Sequence, residues 1–194
     1  MTNIIIITII LLLIPTFFAI QFNYSQEDGN SDNIENLQDN SPQIKPKVDV
    51  KIEGTANDDK IRGGAGDDKI TGEAGYDTLE GGDGKDKIDG GEGDDKIKGG
   101  KGDDKIKGES ENDKIEGNQG NDQIEGGEGN DSLKGGKEND EIQGDIGNDK
   151  LEGGEGIDEM EGGEGSDSFS CDSFDKLIDF DSQEGDTVTG QCIF

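Results

Sequence analysis

The chain runs to 194 residues with only 26% hydrophobic and 5% aromatic side chains, no tryptophan, 34 glycines and a formal net charge of −30. An ordinary globular domain is close to half apolar, and a chain this polar and this charged does not offset its own ordering entropy unaided. Its acidity repels nucleic acid and anionic lipid and calls for a cationic partner, while the absence of histidine excludes histidine-based acid–base, nucleophilic and metal chemistry.

Residues 1–25 carry no charged side chain. Ile4 to Ile14 is an almost unbroken apolar run, Pro15 and Thr16 interrupt it, and Phe17 to Ile20 resume it. The run has the length of a signal-peptide core, although Met1-Thr2-Asn3 offers no positive charge and no Ala-x-Ala site is present after it. Cleavage within Ala19 to Gln26 and retention as an anchor both stay open, since Ile4 to Ile20 is near the short limit for a bilayer span. The expected location is outside the cell, secreted or held at the surface, with no other membrane contact. Residues 26–46 are polar and acidic with two prolines, and read as a flexible linker. Val48, Val50 and Ile52 then alternate with Asp49 and Lys51, the period-2 pattern of a first strand that covers the open end of the repeat region beginning at Gly54.

From Gly54 to Ser170 the chain repeats every nine residues without insertion or deletion, giving 13 units. Such a repeat sets the architecture before any local propensity does. Position 1 is always glycine, and position 4 is glycine except at Asn57, Glu111 and Glu138. Position 6 is always aspartate: Asp59, Asp68, Asp77, Asp86, Asp95, Asp104, Asp113, Asp122, Asp131, Asp140, Asp149, Asp158 and Asp167. Position 8 is always apolar, from Ile61 and Ile70 through to Met160 and Phe169. The glycines are expected to take positive φ and turn their carbonyls toward a shared point. Carboxylates and inward carbonyls are the hard oxygen ligands calcium requires, so the position-6 aspartates are the candidate metal ligands. Positions 7 to 9 are expected to form a very short strand, with position 8 facing in and lysines such as Lys60, Lys69 and Lys96 facing out.

The pattern resembles the hemolysin-type RTX nonapeptide, GGxGxDxUx with U a large apolar residue, over about 60% of the chain. The resemblance implies an all-β fold, a right-handed parallel β-roll of about 13 repeats spanning residues 47–170, in which two nonapeptides make one turn. It also implies an ion between each unit and the unit after next: Asp59 with Asp77, Asp68 with Asp86, and so on, for up to about 11 calcium ions. Glu111 and Glu138 replace a turn glycine, so the turns of Asp113 and Asp140 are expected to be strained or weakly filled. Glu73, Glu109, Asn118 and Asp145 at position 2 read as milder departures.

After Ser170 the register breaks. Residues 171–194 resemble the cap found after RTX repeats, and their cysteine-bracketed form is similar to the tails of small exported archaeal and bacterial repeat proteins. Cys171 and Cys192, in an exported chain, are expected to pair. Phe169, Phe174, Leu177, Ile178 and Phe180 read as a hydrophobic lid on the last turn. The expected function is extracellular calcium binding with a structural or interaction role. A disordered polyanion that buffers calcium or modulates mineral surfaces is the alternative. An enzyme carrying an RTX tail is disfavoured: about 28 residues separate the export segment from the first repeat, and they hold no HExxH or nucleophile pattern. The identity of any macromolecular partner is not legible in these residues.

Overall fold

A computed structural model describes residues 47–194. The expected export segment, 1–25, and the expected linker, 26–46, lie outside the described residues. Sixteen strands succeed one another: β1 (Lys51–Glu53), β2 (Lys60–Ala65), β3 (Lys69–Ala74), β4 (Thr78–Asp83), β5 (Lys87–Glu92), β6 (Lys96–Lys101), β7 (Lys105–Ser110) and β8 (Lys114–Gln119) make the first half. The second half is β9 (Gln123–Glu128), β10 (Ser132–Lys137), β11 (Glu141–Ile146), β12 (Lys150–Glu155), β13 (Glu159–Glu164), β14 (Ser168–Cys171), β15 (Lys176–Leu177) and β16 (Thr187–Gly190). Odd strands form one eight-stranded sheet and even strands another, each in strict order. Every pairing is parallel and in register at a separation of 18 residues within the repeats, as in Lys69↔Lys87 and Lys96↔Lys114. The fold is therefore an all-β parallel solenoid of about eight turns, two strands to a turn.

The period of nine explains this directly. Two units return the chain to the same sheet, so position 8 of every second unit stacks in one file. One file runs from Ile52 and Ile70 to Met160 and Leu177, the other from Ile61 and Leu79 to Phe169 and Val188. From Ile70 to Leu177 these apolar side chains are buried and make the core, with Ile61, Phe180, Val188 and the two cysteines packed half-buried against it. Position 7 is exposed from Lys60 to Glu159, as the alternation predicts, and half-buried only at Ser168 beside the cap.

The strands are longer than positions 7 to 9. Pairing resumes after the position-1 glycine, at positions 2 and 3, as in Gly82↔Gly100 and Asp83↔Lys101. The glycine-rich segment therefore belongs half to the sheet and half to the turn. At the N-terminal end, strand geometry covers only Lys51–Glu53, while Val48 is 54% exposed. The segment before it is held by the backbone bonds Val48 N to Ala65 O and Lys69 N to Val50 O, and by the side-chain bonds Val50 N to Asp68 Oδ1 and Asp67 N to Asp49 Oδ1.

The cap continues both sheets. Leu177 pairs with Met160 and Val188 with Phe169, and Cys171–Cys192 form a disulfide with Cα atoms 5.4 Å apart. The lid differs from the sequence expectation. Phe174 and Ile178 are 61% and 46% exposed, whereas Leu177 is buried and Phe180 is half-buried between Phe169 and Phe194. Leu177 occupies the inward strand position, which turns its neighbour Ile178 out. Asp172 accepts the Phe174 N–H in a tight side-chain turn that carries the ring away from the core.

Candidate metal centre

The turns lie along the two edges of the solenoid, and each brings its position-6 aspartate inward. Asp68 through Asp167 are at most 3% exposed, and Asp59, in the first unit, is half-buried. Within each file one oxygen of every aspartate from Asp77 onward is used in the same way. Oδ1 accepts the backbone N–H of the aspartate 18 residues earlier, at 2.7–2.9 Å: Asp59 to Asp77, Asp68 to Asp86, Asp77 to Asp95, and so on to Asp149 to Asp167. Asp68 Oδ1 accepts the N–H of Val50 instead. The carboxylates that the repeat pairs at i and i+18 are thus neighbours in space.

The other oxygen is orphaned. Oδ2 of Asp68, Asp77, Asp86, Asp95, Asp104, Asp113, Asp122, Asp131, Asp140, Asp149, Asp158 and Asp167 is buried without a hydrogen-bond partner. A buried carboxylate oxygen without a donor is costly, by about 1–3 kcal/mol or more for each charged group. Twelve of them in two files is a motif and not a defect. Asp59 departs from it, because its Oδ2 accepts both the N–H and the hydroxyl of Thr55.

Ten of the 12 orphan oxygens, those of Asp68 to Asp149, face a carbonyl across the space above a position-1 glycine. A methyl group placed on Gly99 would sit 2.3 Å from Asp104 Oδ2 and 2.9 Å from Gly117 O. The same pair of oxygens flanks Gly81, Gly108, Gly126 and Gly144. This corrects the expected role of the position-1 glycine. Its φ is not in the left-handed region; it is glycine because carboxylate and carbonyl oxygens fill the place of a side chain. Positive φ belongs instead to positions 2 and 4, such as Gly100 at 128° and Gly102 at 112°.

The substituted turns are explained by that geometry. Glu111 and Glu138 hold φ of 71° and 72°, strained for a side chain with a Cβ. Their carboxylates accept the N–H of Gly93 and Gly120, which partly compensates. Position 2 is no milder, since Glu73, Glu109, Asn118 and Asp145 take φ of 75–83°. Of these, Asn118 and Asp145 tolerate the conformation better than the two glutamates.

Electrostatics separates the two acids of one turn. Asp103, at position 5, is exposed, and hydrogen bonds from Lys85 and Asn121 hold its pKa down at about 2. Asp104, beside it in sequence, is pushed up to about 7 by burial and by the Asp122 and Asp86 charges. Burial likewise raises Asp95 to about 6, Asp113 to about 8, and Asp140 and Asp149 to about 7. Two files of buried, mutually repelling carboxylates favour a proton or a cation in each gap.

Sequence reasoning missed a second ladder at position 5. There Asp67 accepts the N–H of Lys85, Asp94 that of Asn112, Asn112 that of Asn130 and Asn130 that of Asn148. These bonds point to the next turn along the chain, opposite to the position-6 bonds, so adjacent turns are stitched in both directions. The signal was present: position 5 is Asp or Asn in nine of 13 units.

The donor set is all oxygen: carboxylates in file, carbonyls between them, and no soft or nitrogen ligand. Among the described residues no three acidic or cysteine side chains gather on one point, so an ion in a gap would draw the rest of its shell from backbone carbonyls. That set suits a hard divalent cation with a flexible shell, as calcium is, and the orphaned oxygens fit it. Fold and site together define a calcium-binding solenoid. Residues 51–169, more than half of the chain, match the RTX calcium-binding nonapeptide repeat in successive stretches from 51–79 to 134–169. The chain belongs to the family of proteins built from RTX calcium-binding nonapeptide repeats. No curated protein matches the chain.

Proposed function

We propose that this is an exported protein whose repeats bind calcium in the gaps between successive aspartates of each file, and that calcium binding is what folds them. The observation that carries this reading is the set of 12 buried, unpartnered Oδ2 atoms aligned along both edges. Asp59 through Asp167 hold the ions, each interior aspartate facing two gaps, and the repeat carbonyls complete the shells. Calcium supplies the positive charge that lets these carboxylates stack. The resulting role is a structural or interaction role outside the cell, with no catalytic step assigned to the chain. The uncharged apolar segment Ile4 to Ile20 supports export.

Asp95 sits mid-file and accepts the N–H of Asp77, while the adjacent Lys96 is exposed. In calcium titration calorimetry, Asp95→Ala is expected to lower the number of ions bound and Lys96→Ala to leave it unchanged. Equal effects from the two changes would refute the assignment of position 6.

A further inference from the structure

Both aspartate files continue past the last nonapeptide. Asp158 N donates to Asp175 Oδ1 at 3.2 Å, and Asp167 N donates to Asp186 Oδ1 at 2.9 Å. These are the bonds that join successive aspartates within the repeats, but here the spacing is 17 and 19 residues instead of 18. Each cap aspartate is followed by an outward residue and an inward aliphatic, Lys176-Leu177 and Thr187-Val188, which begin β15 and β16. Asp175 is fully buried and Asp186 half-buried. The cap thus supplies two aspartate-strand units of its own, outside the matched repeats that end at residue 169.

On the roll side of these two gaps, Asp158 is 0% exposed and Asp167 2%, and Oδ2 of each has no hydrogen-bond donor. If the roll bound ions only between nonapeptides, each of these last two carboxylates would share one ion with its roll neighbour and turn an unpartnered oxygen to the cap. The cap deepens the problem. Asp175 and Asp172 are the charges acting on Asp158, and Asp186, Asp179 and Glu184 those acting on Asp167; all are negative. Beyond the cap aspartates the files close. Asp175 Oδ2 accepts the N–H of Asp172, and Asp186 Oδ2 that of Asp181. Neither passes an orphan oxygen onward, and Asp179 takes the N–H groups of Gly162 and Gly163.

We propose that the gaps Asp158–Asp175 and Asp167–Asp186 are two further calcium sites, formed jointly by the roll and the cap, which fasten the disulfide-closed tail onto the last turn. This rests on the reading that the aspartate files hold calcium. It raises the number of gaps from 11 to 13, seven in the file from Asp59 to Asp186 and six in the file from Asp68 to Asp175.

The test is an ion count by native mass spectrometry on the full-length exported protein loaded with calcium. The variant is Asp175→Asn with Asp186→Asn. Asparagine keeps the Oδ1 acceptor, as Asn112, Asn130 and Asn148 do along the position-5 ladder, and removes only the charge. The double variant is expected to bind two ions fewer than wild type, with an unchanged circular dichroism spectrum. The amides of Asp158 and Asp167 should lose calcium-dependent protection from hydrogen exchange. Asp181→Asn, exposed on the cap surface, is expected to keep the full count. Should the double variant fail to fold, each single variant is expected to lose one ion. An unchanged count in the variants while wild type is loaded would overturn the cap sites and leave the roll sites standing. A wild type that takes up no calcium would overturn both.

Discussion

The position-1 glycine is constrained by space alone, since its φ lies outside the left-handed region. At Gly99 an added methyl would meet Asp104 Oδ2 at 2.3 Å and Gly117 O at 2.9 Å, two oxygens that belong to the proposed ion shell. At Gly64, in position 2, nothing lies within 4 Å and only the φ of 118° resists substitution. Gly99→Ala should therefore cost a few kcal/mol and remove an ion. Gly64→Asn should cost about 1 kcal/mol or less, since Asn118 already occupies the equivalent position at φ 83°. Calcium-loaded melting temperatures of the two variants would rank them, and the reverse order would contradict the packing argument. The raised carboxylates give a second expectation at this scale. Their folded pKa values, from about 6 to about 8, lie above the unfolded value near 4. A folded carboxyl therefore holds protons that the unfolded chain has released. Metal-free stability is greatest below about pH 4 and falls as pH rises through about 6 to 8. Metal-free protein should gain β structure on acidification to about pH 4–5 and lose it by about pH 8, where calcium takes over the role of the proton. Circular dichroism across that range is the check, and indifference to pH would count against the buried files.

At the scale of elements, the repeat was legible and the cap was only half so. Thirteen copies of glycine, aspartate and an aliphatic at fixed spacing leave one arrangement that stacks every class of residue on itself, so sheets, core files and ligand files are dictated by the register. Strand length was not legible, because a glycine pair reads as a turn while its backbone still reaches the next strand. The cap was obscured by slips of one residue in each direction. Asp175-Lys176-Leu177 and Asp186-Thr187-Val188 repeat the motif's positions 6 to 8, but no glycine marks their register. Hydrophobicity alone then misassigned Phe174 and Ile178 to the lid. Leu177→Ala should destabilise the calcium-loaded protein by about 2–4 kcal/mol, and Phe174→Ala by no more than about 0.5 kcal/mol. Thermal unfolding distinguishes them, and equal losses would restore the original lid. The disulfide encloses about 20 residues, so reducing it should cost about 2–3 kcal/mol, felt first as fraying of β15 and β16.

For the whole molecule, charge decides whether the stack exists. Neighbouring strands lie about 4.8 Å apart, so successive carboxylates of a file are held within direct repulsive range, and the outer faces relieve little of this. Ion pairs such as Lys85–Asp103 and Lys101–Asp83 are exposed and worth little each. Lys51, Lys69, Lys87 and Lys105 are stacked on one another in the odd-strand sheet, which opposes folding further. One inward aliphatic per nine residues does not balance these terms. Thirteen calcium ions would bring about +26 against the chain's −30 and remove most of the obstacle. Since every ion joins two turns, filling one gap positions the aspartate that flanks the next, and the solenoid should order as a nearest-neighbour array. Without calcium, the chain should therefore be expanded, with a radius of gyration of roughly 40 Å for some 150 residues, and should collapse below roughly 20 Å when loaded. The transition should be sigmoidal and fall at about 10⁻⁴–10⁻³ M calcium, the range of extracellular modules, so that under the proposed export the chain would leave the cell unfolded and fold outside it. Small-angle scattering and circular dichroism along one calcium titration would test this together. A metal-free chain already compact and rich in β structure near pH 7.5 would overturn the mechanism, and a gradual, non-sigmoidal change without gain of β structure would favour the disordered calcium-buffering polyanion instead.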